Sequence, residues 1–269
     1  MKRSTTRQWA VTYPAKIIKP GPGTVAEVFV AIQGEAIQVG ERQLFIRLAG
    51  CPFRCGYCDT PGAMVPTDFC LVETPPTSRR FRKQPNPVSP ENLASLAAGF
   101  VAVDPAIRAI TLTGGEPLWQ ADYLKAALPL LRGAGRPIFL ETAGVHVAEL
   151  QEILSFVDTV SMDVKLPSTT GMKPLWAEHQ QFLKVALVKH VMVKLVVTRK
   201  TMPDELKQVR DMIAQVDRTV PVVLQPVTPQ WKVKQPATTE QLLAWQALLS
   251  EKLEQVRVIP QCHRMLGDL

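Results

Sequence analysis

The chain has 269 residues, 46% of them hydrophobic and 20% charged, a balance that fits an ordinary soluble globular protein long enough for one large α/β domain. No apolar run approaches the roughly 18 residues a bilayer crossing requires, which excludes a chain built to span membranes. A net charge of +7 permits contact with anionic metabolites or nucleic acid without requiring it, and five cysteines behind an N-terminus with no apolar leader argue for a reducing, cytoplasmic setting over a disulfide framework.

Residues 1–24 read as a basic tail ending in Pro20-Gly21-Pro22-Gly23, and residues 25–269 as the domain proper. Val25–Ile32 is a β-branched apolar run and predicts a strand leading into Gln33-Gly34-Glu35. Leu44–Leu48 predicts a second strand, alternating around Arg47, that delivers the chain to a cysteine-bearing loop. Residues 66–90 hold six prolines and the basic cluster Arg79-Arg80-Phe81-Arg82-Lys83. Proline at that density argues against a continuous helix or a central strand, so this stretch is expected to be a surface excursion. From Ser89 onward helix signals at 90–103, 120–133, 146–155, 174–189, 204–216 and 238–254 alternate with strand signals. The strands are expected at Ala109–Thr113, Pro137–Glu141, Thr159–Val164, Val191–Val197, Pro221–Gln225 and Val256–Ile259. Ser89 followed by Pro90 is a helix start, and the charge-free run Asn92–Val103 is a core helix. Alternation of this kind builds βαβ units and a parallel sheet, and a partial (β/α) barrel with its chemistry at the C-terminal ends of the strands is the expected architecture.

The chemistry is concentrated in Cys51, Cys55 and Cys58, spaced C-x3-C-x2-C and followed by Asp59-Thr60. A structural zinc wants four protein ligands and a four-iron cluster can take four thiolates, but only three come as a set here. Three thiolates leave one iron of a [4Fe–4S] cluster open to a small molecule. A zinc knuckle completed by Cys70, Cys262 or a histidine is the competing arrangement. About 55 residues on, Thr113-Gly114-Gly115-Glu116-Pro117 ends a strand in two glycines that let a ligand approach the backbone. Glu141 closes the next apolar strand, Asp163 and Lys165 share one face of another, and Gln225 ends a further one.

The three-cysteine set with Gly-Gly-Glu-Pro resembles the radical S-adenosylmethionine (SAM) superfamily. There the open iron is chelated by SAM, and one electron splits a C–S bond to give a 5′-deoxyadenosyl radical. Gln33-Gly34-Glu35, Phe45-Ile46-Arg47-Leu48-Ala49-Gly50, the Glu141-Thr142-Ala143-Gly144 turn, Lys165-Leu166-Pro167-Ser168 and Gln261-Cys262-His263-Arg264 narrow the resemblance. Together they resemble the 7-carboxy-7-deazaguanine synthase family over residues 25–269 apart from the proline-rich stretch. That resemblance implies a lyase that converts 6-carboxy-5,6,7,8-tetrahydropterin to 7-carboxy-7-deazaguanine with loss of ammonia, a step toward 7-deazapurines such as queuosine in tRNA.

It implies that Cys51, Cys55 and Cys58 hold the cluster. Gly115, Glu116, Glu141, Asp163, Val164, Lys165, Gln225, Pro226, Val227 and Thr228 are then the SAM contacts. Ile32, Gln33, Gly34, Glu35, Arg47, Thr113, His263 and the terminal carboxylate of Leu269 are the substrate contacts, and the Thr60 hydroxyl meets a Mg²⁺ that touches the substrate carboxylate. The same resemblance implies an electron donor such as flavodoxin or ferredoxin and a homodimer, and it requires neither nucleic acid nor a membrane. The chain departs from many relatives in having Asp163-Val164 where Ser-Pro precedes the lysine, Ala36 in place of Gly, and Ala143 in place of Asn. Two rivals stand against this reading: another radical SAM enzyme such as a glycyl-radical activase, and a zinc-bearing RNA-binding module using the basic tail and Arg79–Lys83.

Overall fold

The computed structural model describes residues 16–229 and 233–267. Its ten strands are β1 (Val25–Ile32), β2 (Arg42–Leu48), β3 (Phe69–Glu73), β4 (Phe81–Pro85), β5 (Ala109–Gly114), β6 (Ile138–Thr142), β7 (Thr159–Asp163), β8 (His190–Val197), β9 (Val222–Pro226) and β10 (Val256–Val258). They form one sheet in the order β10-β9-β8-β7-β6-β5-β2-β1-β3-β4. β2 and β5 to β10 run parallel, β1 returns antiparallel to β2, and β3 lies parallel to β1. The helices are α1 (Pro90–Val103), α2 (Ala121–Leu131), α3 (Val147–Ile153), α4 (Pro167–Thr170), α5 (Trp176–Ala186), α6 (Pro203–Val216), α7 (Thr239–Ser250) and α8 (Cys262–Met265). Among the described residues, no helix is long and apolar enough to cross a membrane.

Local chemistry sets the helix ends. The Ser89 hydroxyl accepts from the Asn92 amide and Pro90 occupies the first turn of α1, which buries Leu93, Ala97 and Phe100 at helical spacing. Thr238 and Gln241 form a reciprocal capping box at the start of α7.

Strand alternation divides the sheet into two faces. Leu44, Ile46, Ile110, Leu112, Leu140, Met162 and Leu195 are fully buried in the main core, which they share with helix residues such as Leu93 and Leu124. The alternate residues Phe45, Arg47, Thr113, Glu141, Asp163, Lys194 and Gln225 line a cavity on the other face. Contacts between distant strands show how far the sheet curls. Gln33, after β1, donates to Glu141 of β6 at 3.0 Å, and Lys194 of β8 is ion-paired with Glu35 in the β1–β2 turn. The result is the expected partial barrel, with the β1–β2 turn folded across its interior.

The expectation for residues 66–90 is corrected. The stretch leaves the cysteine loop and returns as a β3–β4 hairpin that extends the sheet beyond β1, with Leu71 and Val72 in register with Glu27 and Val28. Pro85 is tolerated because β4 is the outermost strand, where a missing amide donor breaks no interior ladder. Cys70 is fully buried in the main core, and burial pushes its thiol up to about 12. Buried Glu73 ends β3 and accepts from the amides of Val30 at 2.9 Å and Arg79 at 2.8 Å, which satisfies a β1 donor beyond the end of the β3 pairing. Of the basic cluster, Arg79, Arg80, Arg82 and Lys83 are exposed.

One buried histidine joins two strand ends. His179 of α5 accepts at Nε2 from the Lys165 amide (3.1 Å) and meets the Gly144 carbonyl at Nδ1 (2.9 Å). Because an amide N–H points at Nε2, the proton resides on Nδ1 and donates to that carbonyl. Burial, aided by the nearby Lys165 ammonium, depresses His179 to about 4. The unfolded chain takes up this proton near pH 6.5 and the folded chain near 4. Stability is therefore level above 6.5 and drains as pH falls through that window, by roughly 3 kcal/mol at most. His179→Gln is expected to lose about 1 kcal/mol at pH 8 and to show a shallower loss on acidification, measured by urea unfolding at pH 8 and pH 5. Equal pH dependence in parent and variant refutes the assignment.

Candidate active site

The interior of the curled sheet encloses a cavity of about 360 Å³ at the C-terminal ends of β2 and β5 to β9. The cysteine loop reaches it because two backbones meet without side chains between them. The Gly115 amide donates to the Leu48 carbonyl at 3.1 Å and the Glu116 amide to the Gly50 carbonyl at 2.9 Å. A Cβ on Gly115 would stand 2.1 Å from the Gly50 oxygen, so only glycine fits. Gln120 braces the junction from below, donating to the carbonyls of Thr24 and Ala49 at 2.9 Å each.

Cys51, Cys55 and Cys58 all line this cavity. Among the described residues, the only His, Cys, Asp and Glu trio with ligand atoms within 4.8 Å of one another is Glu35, Asp59 and His263. The three thiols therefore do not all stand within the ~3.8 Å of one another that 2.3 Å bonds to a single tetrahedral zinc would impose. Neither Cys70 nor Cys262 lines the cavity to supply a fourth thiolate. Burial pushes the Cys51 and Cys58 thiols up to about 12 and raises Cys55 as well, so they ionise only against a bound cationic group. The donor set fits a multi-iron cluster with one open corner.

Beside the thiols the cavity wall is polar and partly unsatisfied. Among the described residues, Asp163 Oδ1 and Gln225 Oε1 are buried without a partner, an arrangement that suits a ligand rich in hydroxyls and amines. Lys165 pairs with Asp163 at 3.0 Å and donates to the Tyr57 hydroxyl at 3.2 Å. Burial disfavours the Lys165 ammonium, but Asp163 and the neighbouring Cys55 override it and raise its pKa. Asp163 and Lys165 thus form an ion pair that itself faces the cavity.

The opposite wall carries Arg47, whose Nε donates to buried Glu27 at 2.8 Å while its guanidinium lies 5.8 Å from the Phe29 ring centre. Phe29 and Phe45 stack at 5.3 Å between centroids and give this wall an apolar floor. Burial opposes the Arg47 charge, but Glu27 raises its pKa. Thr113, Ile32 and Gln33 line the same side, and Gly34 lies so close to His263 that a Cβ would meet Nδ1 at 2.3 Å. Burial pushes the Glu35 carboxyl up, yet Lys194 and Gln261 override it and hold it at about 2. Thr60 makes no side-chain cap; its hydroxyl donates to Asp59 at 2.9 Å, and Asp59 also accepts from Gln261 at 2.9 Å.

Most of the residues expected from the sequence therefore meet in one cavity, with five exceptions in role or place. The Glu116 carboxylate accepts from Leu118 N, Thr142 Oγ1 and Ala143 N, so it clasps the β5 and β6 ends together. The Val164 side chain belongs to the main core. Pro226 and Thr228 do not line the cavity, although Gln225 and Val227 do. Leu269 lies outside the described residues. Lys194, Ser161, Tyr57 and Gln261 line the cavity and were not foreseen. Lys194 carried a legible signal: it is the one charge within the otherwise apolar run Val191–Val197.

Comparison with known proteins agrees with this geometry. The Radical SAM superfamily profile matches residues 45–193. The 7-carboxy-7-deazaguanine synthase of Geobacter sulfurreducens is 41% identical over 254 residues, spanning 93% of this chain and 99% of that protein. That of Methanothermobacter thermautotrophicus is 29% identical across 90% of this chain and 96% of its own. In fold, the crystal structure of QueE from Escherichia coli is similar with a TM-score of 0.57 at 21% identity, over 89% of this chain and 93% of that one. A radical SAM methyltransferase from Sphaerobacter thermophilus gives the same score at 12% identity, over 87% and 77%. Shared sequence along nearly its whole length, joined to a three-thiol loop over the cavity at the strand ends, makes this chain a member of the 7-carboxy-7-deazaguanine synthase family within the radical SAM superfamily.

Proposed function

We propose that this chain converts 6-carboxy-5,6,7,8-tetrahydropterin to 7-carboxy-7-deazaguanine with release of ammonia. The observation that carries the reading is the pairing, across one cavity, of a three-thiol wall bearing the unpartnered oxygens of Asp163 and Gln225 with a wall bearing Arg47 over an aromatic floor. Radical SAM membership implies a [4Fe–4S] cluster and SAM, which when bound supply a carbon-centred radical that abstracts hydrogen from the substrate.

The chain's own residues place, pair and shield. Arg47 offers a planar fork to the substrate carboxylate, and Glu27 fixes that fork by holding its Nε. Gln33, whose Nε2 donates to both Gln43 and Glu141, is held in place on the substrate side of the cavity. Thr113 supplies a hydroxyl to the cavity, and His263 closes the pocket over Gly34. Phe29 and Phe45 keep water from that side. On the thiol side, Asp163 Oδ1 and Gln225 Oε1 accept from ligand hydroxyls or amines, and Lys165 holds Asp163 in register.

Mg²⁺ belongs to the same reading. Thr60 faces the cavity with its hydroxyl on Asp59, and the Glu35, Asp59 and His263 trio adjoins it. Mg²⁺ keeps most of its waters and takes few protein oxygens, so one hydroxyl plus the substrate carboxylate suffices. A flavodoxin- or ferredoxin-type reductant and a homodimer complete the proposal, on the strength of the family alone.

Anaerobic reconstitution with iron and sulfide, followed by SAM, dithionite, Mg²⁺ and the carboxypterin, is expected to yield 7-carboxy-7-deazaguanine by mass spectrometry. SAM cleavage on an intact cluster with no deazapurine would defeat the specific assignment. Arg47→Met is expected to raise KM for the carboxypterin by about 10- to 100-fold, the worth of a charge-assisted hydrogen bond, with SAM affinity unchanged; an unaltered KM removes Arg47 from the substrate site. Thr60→Ala should blunt Mg²⁺ stimulation at unchanged iron content, and an identical Mg²⁺ response in mutant and parent refutes the ligand role.

A further inference from the structure

Lys194 sits in the middle of β8 with its side chain almost wholly buried, in a strand whose other six residues from Val191 to Val197 are apolar. Its ammonium pairs with Glu35 Oε2 in the β1–β2 turn and lies 3.6 Å from Asp163 Oδ2 at the end of β7. Each carboxylate is held a second time: Asp163 by Lys165 at 3.0 Å, and Glu35 by Gln261 at 2.8 Å. Gln261 in turn donates to Asp59, the hydrogen-bond partner of Thr60. One buried chain of alternating charge thus runs from the thiol wall to the opposite wall, and Lys194 is its central link. On the reading above, Glu35 faces the pterin and Asp163 faces SAM.

We propose that Lys194 is a positioning residue that couples the two ligand subsites, its single ammonium fixing the Glu35 carboxylate on the substrate side and the Asp163 carboxylate on the SAM side at once. The physical argument is compensation. Two buried carboxylates share one cation here, and removing it leaves Glu35 without its ammonium and Asp163 with Lys165 alone, the two facing each other in a poorly solvated interior. Each would turn away or repel the other, so damage made on one side is felt on the other. At Asp163, Lys165 and Lys194 both approach Oδ2 and so leave Oδ1 as the oxygen presented to the cavity. A change in its rotamer removes that acceptor from the cofactor side.

The test uses the reconstituted holoenzyme and reads binding, not turnover. Equilibrium dialysis gives Kd for SAM, and quenching of pterin fluorescence gives Kd for the carboxypterin without SAM. Lys194→Met is expected to weaken both by about tenfold or more, since truncating one partner of a buried charge pair leaves the other unpaired. Lys194→Arg, which keeps the charge, should stay close to the parent on both. The decisive variant is Lys194→Met combined with Glu35→Gln. Neutralising the orphaned carboxylate on the substrate side is expected to restore SAM affinity most of the way to the parent value, although Glu35 is assigned no SAM contact. Circular dichroism and iron content show whether each variant folds and holds its cluster; if Lys194→Met does not, the Lys194→Gln pair is read instead. Coupling is overturned if the substitution weakens one ligand alone, or if Glu35→Gln brings no recovery of SAM binding. A parent that binds SAM but not the carboxypterin overturns the substrate reading instead, while recovery of SAM affinity in the double variant still supports the coupling.

Discussion

The site depends on a close approach of two backbones. At Gly50 and Gly115 the cysteine loop and the Gly-Gly turn touch main chain to main chain, with amide-to-carbonyl bonds of 3.1 and 2.9 Å and no space for a Cβ. That contact ties the end of β2 to the end of β5, and so sets the three thiols over the strand ends that carry Thr113, Glu141 and Asp163. Gly50 itself is left-handed at φ 92°, with Pro20 packed where a Cβ would go, so the loop is fixed from outside as well. Glu116 extends the clasp by bonding across to Thr142 and Ala143 of the next strand end.

The parts of the fold that were legible in the sequence are those where one periodicity decides. Every helix signal from Ser89 onward has a helix within a few residues, and every strand signal a strand, because apolar spacing there reports burial against one face of a parallel sheet. The β3–β4 hairpin was not legible. Its prolines point away from a central strand, and correctly so, but an edge strand accepts them, and edge position is a property of the whole sheet that no local window contains. The short helices α4 and α8 escaped for the opposite reason: four residues carry no period to read.

Within the site, motif and role separated. The cysteine trio, the Gly-Gly turn and the acid–lysine pair were identifiable as a set because their spacing is specific. What each side chain bonds to was not, since that depends on residues far away in sequence. Glu116 illustrates this: beside two ligand-cradling glycines it reads as a ligand contact, yet its three donors come from Leu118, Thr142 and Ala143. Val164 likewise sits between two cavity residues, and strand alternation alone turns it into the core.

Charge placement offers a more general signal. Glu27 in β1, Arg47 in β2 and Lys194 in β8 are each a charged residue set among apolar neighbours in an interior strand. A charge costs too much in a dry core to persist there unpaired, so such a residue implies a polar interior opposite and a partner of the other sign. The structure supplies both: Glu27 with Arg47, and Lys194 with Glu35 and Asp163. Neutral, apolar replacements of such pairs cost little stability in many proteins, so stability alone is a weak reason for three of them to line one cavity. Their orientation is a better one. Each pair fixes the atoms that face the cavity, and a reaction that proceeds through a radical needs its substrate held still and shielded from other hydrogen donors. Interior charge here is a means of immobilising the walls of the site, and the apolar faces of the same strands let those walls be rigid.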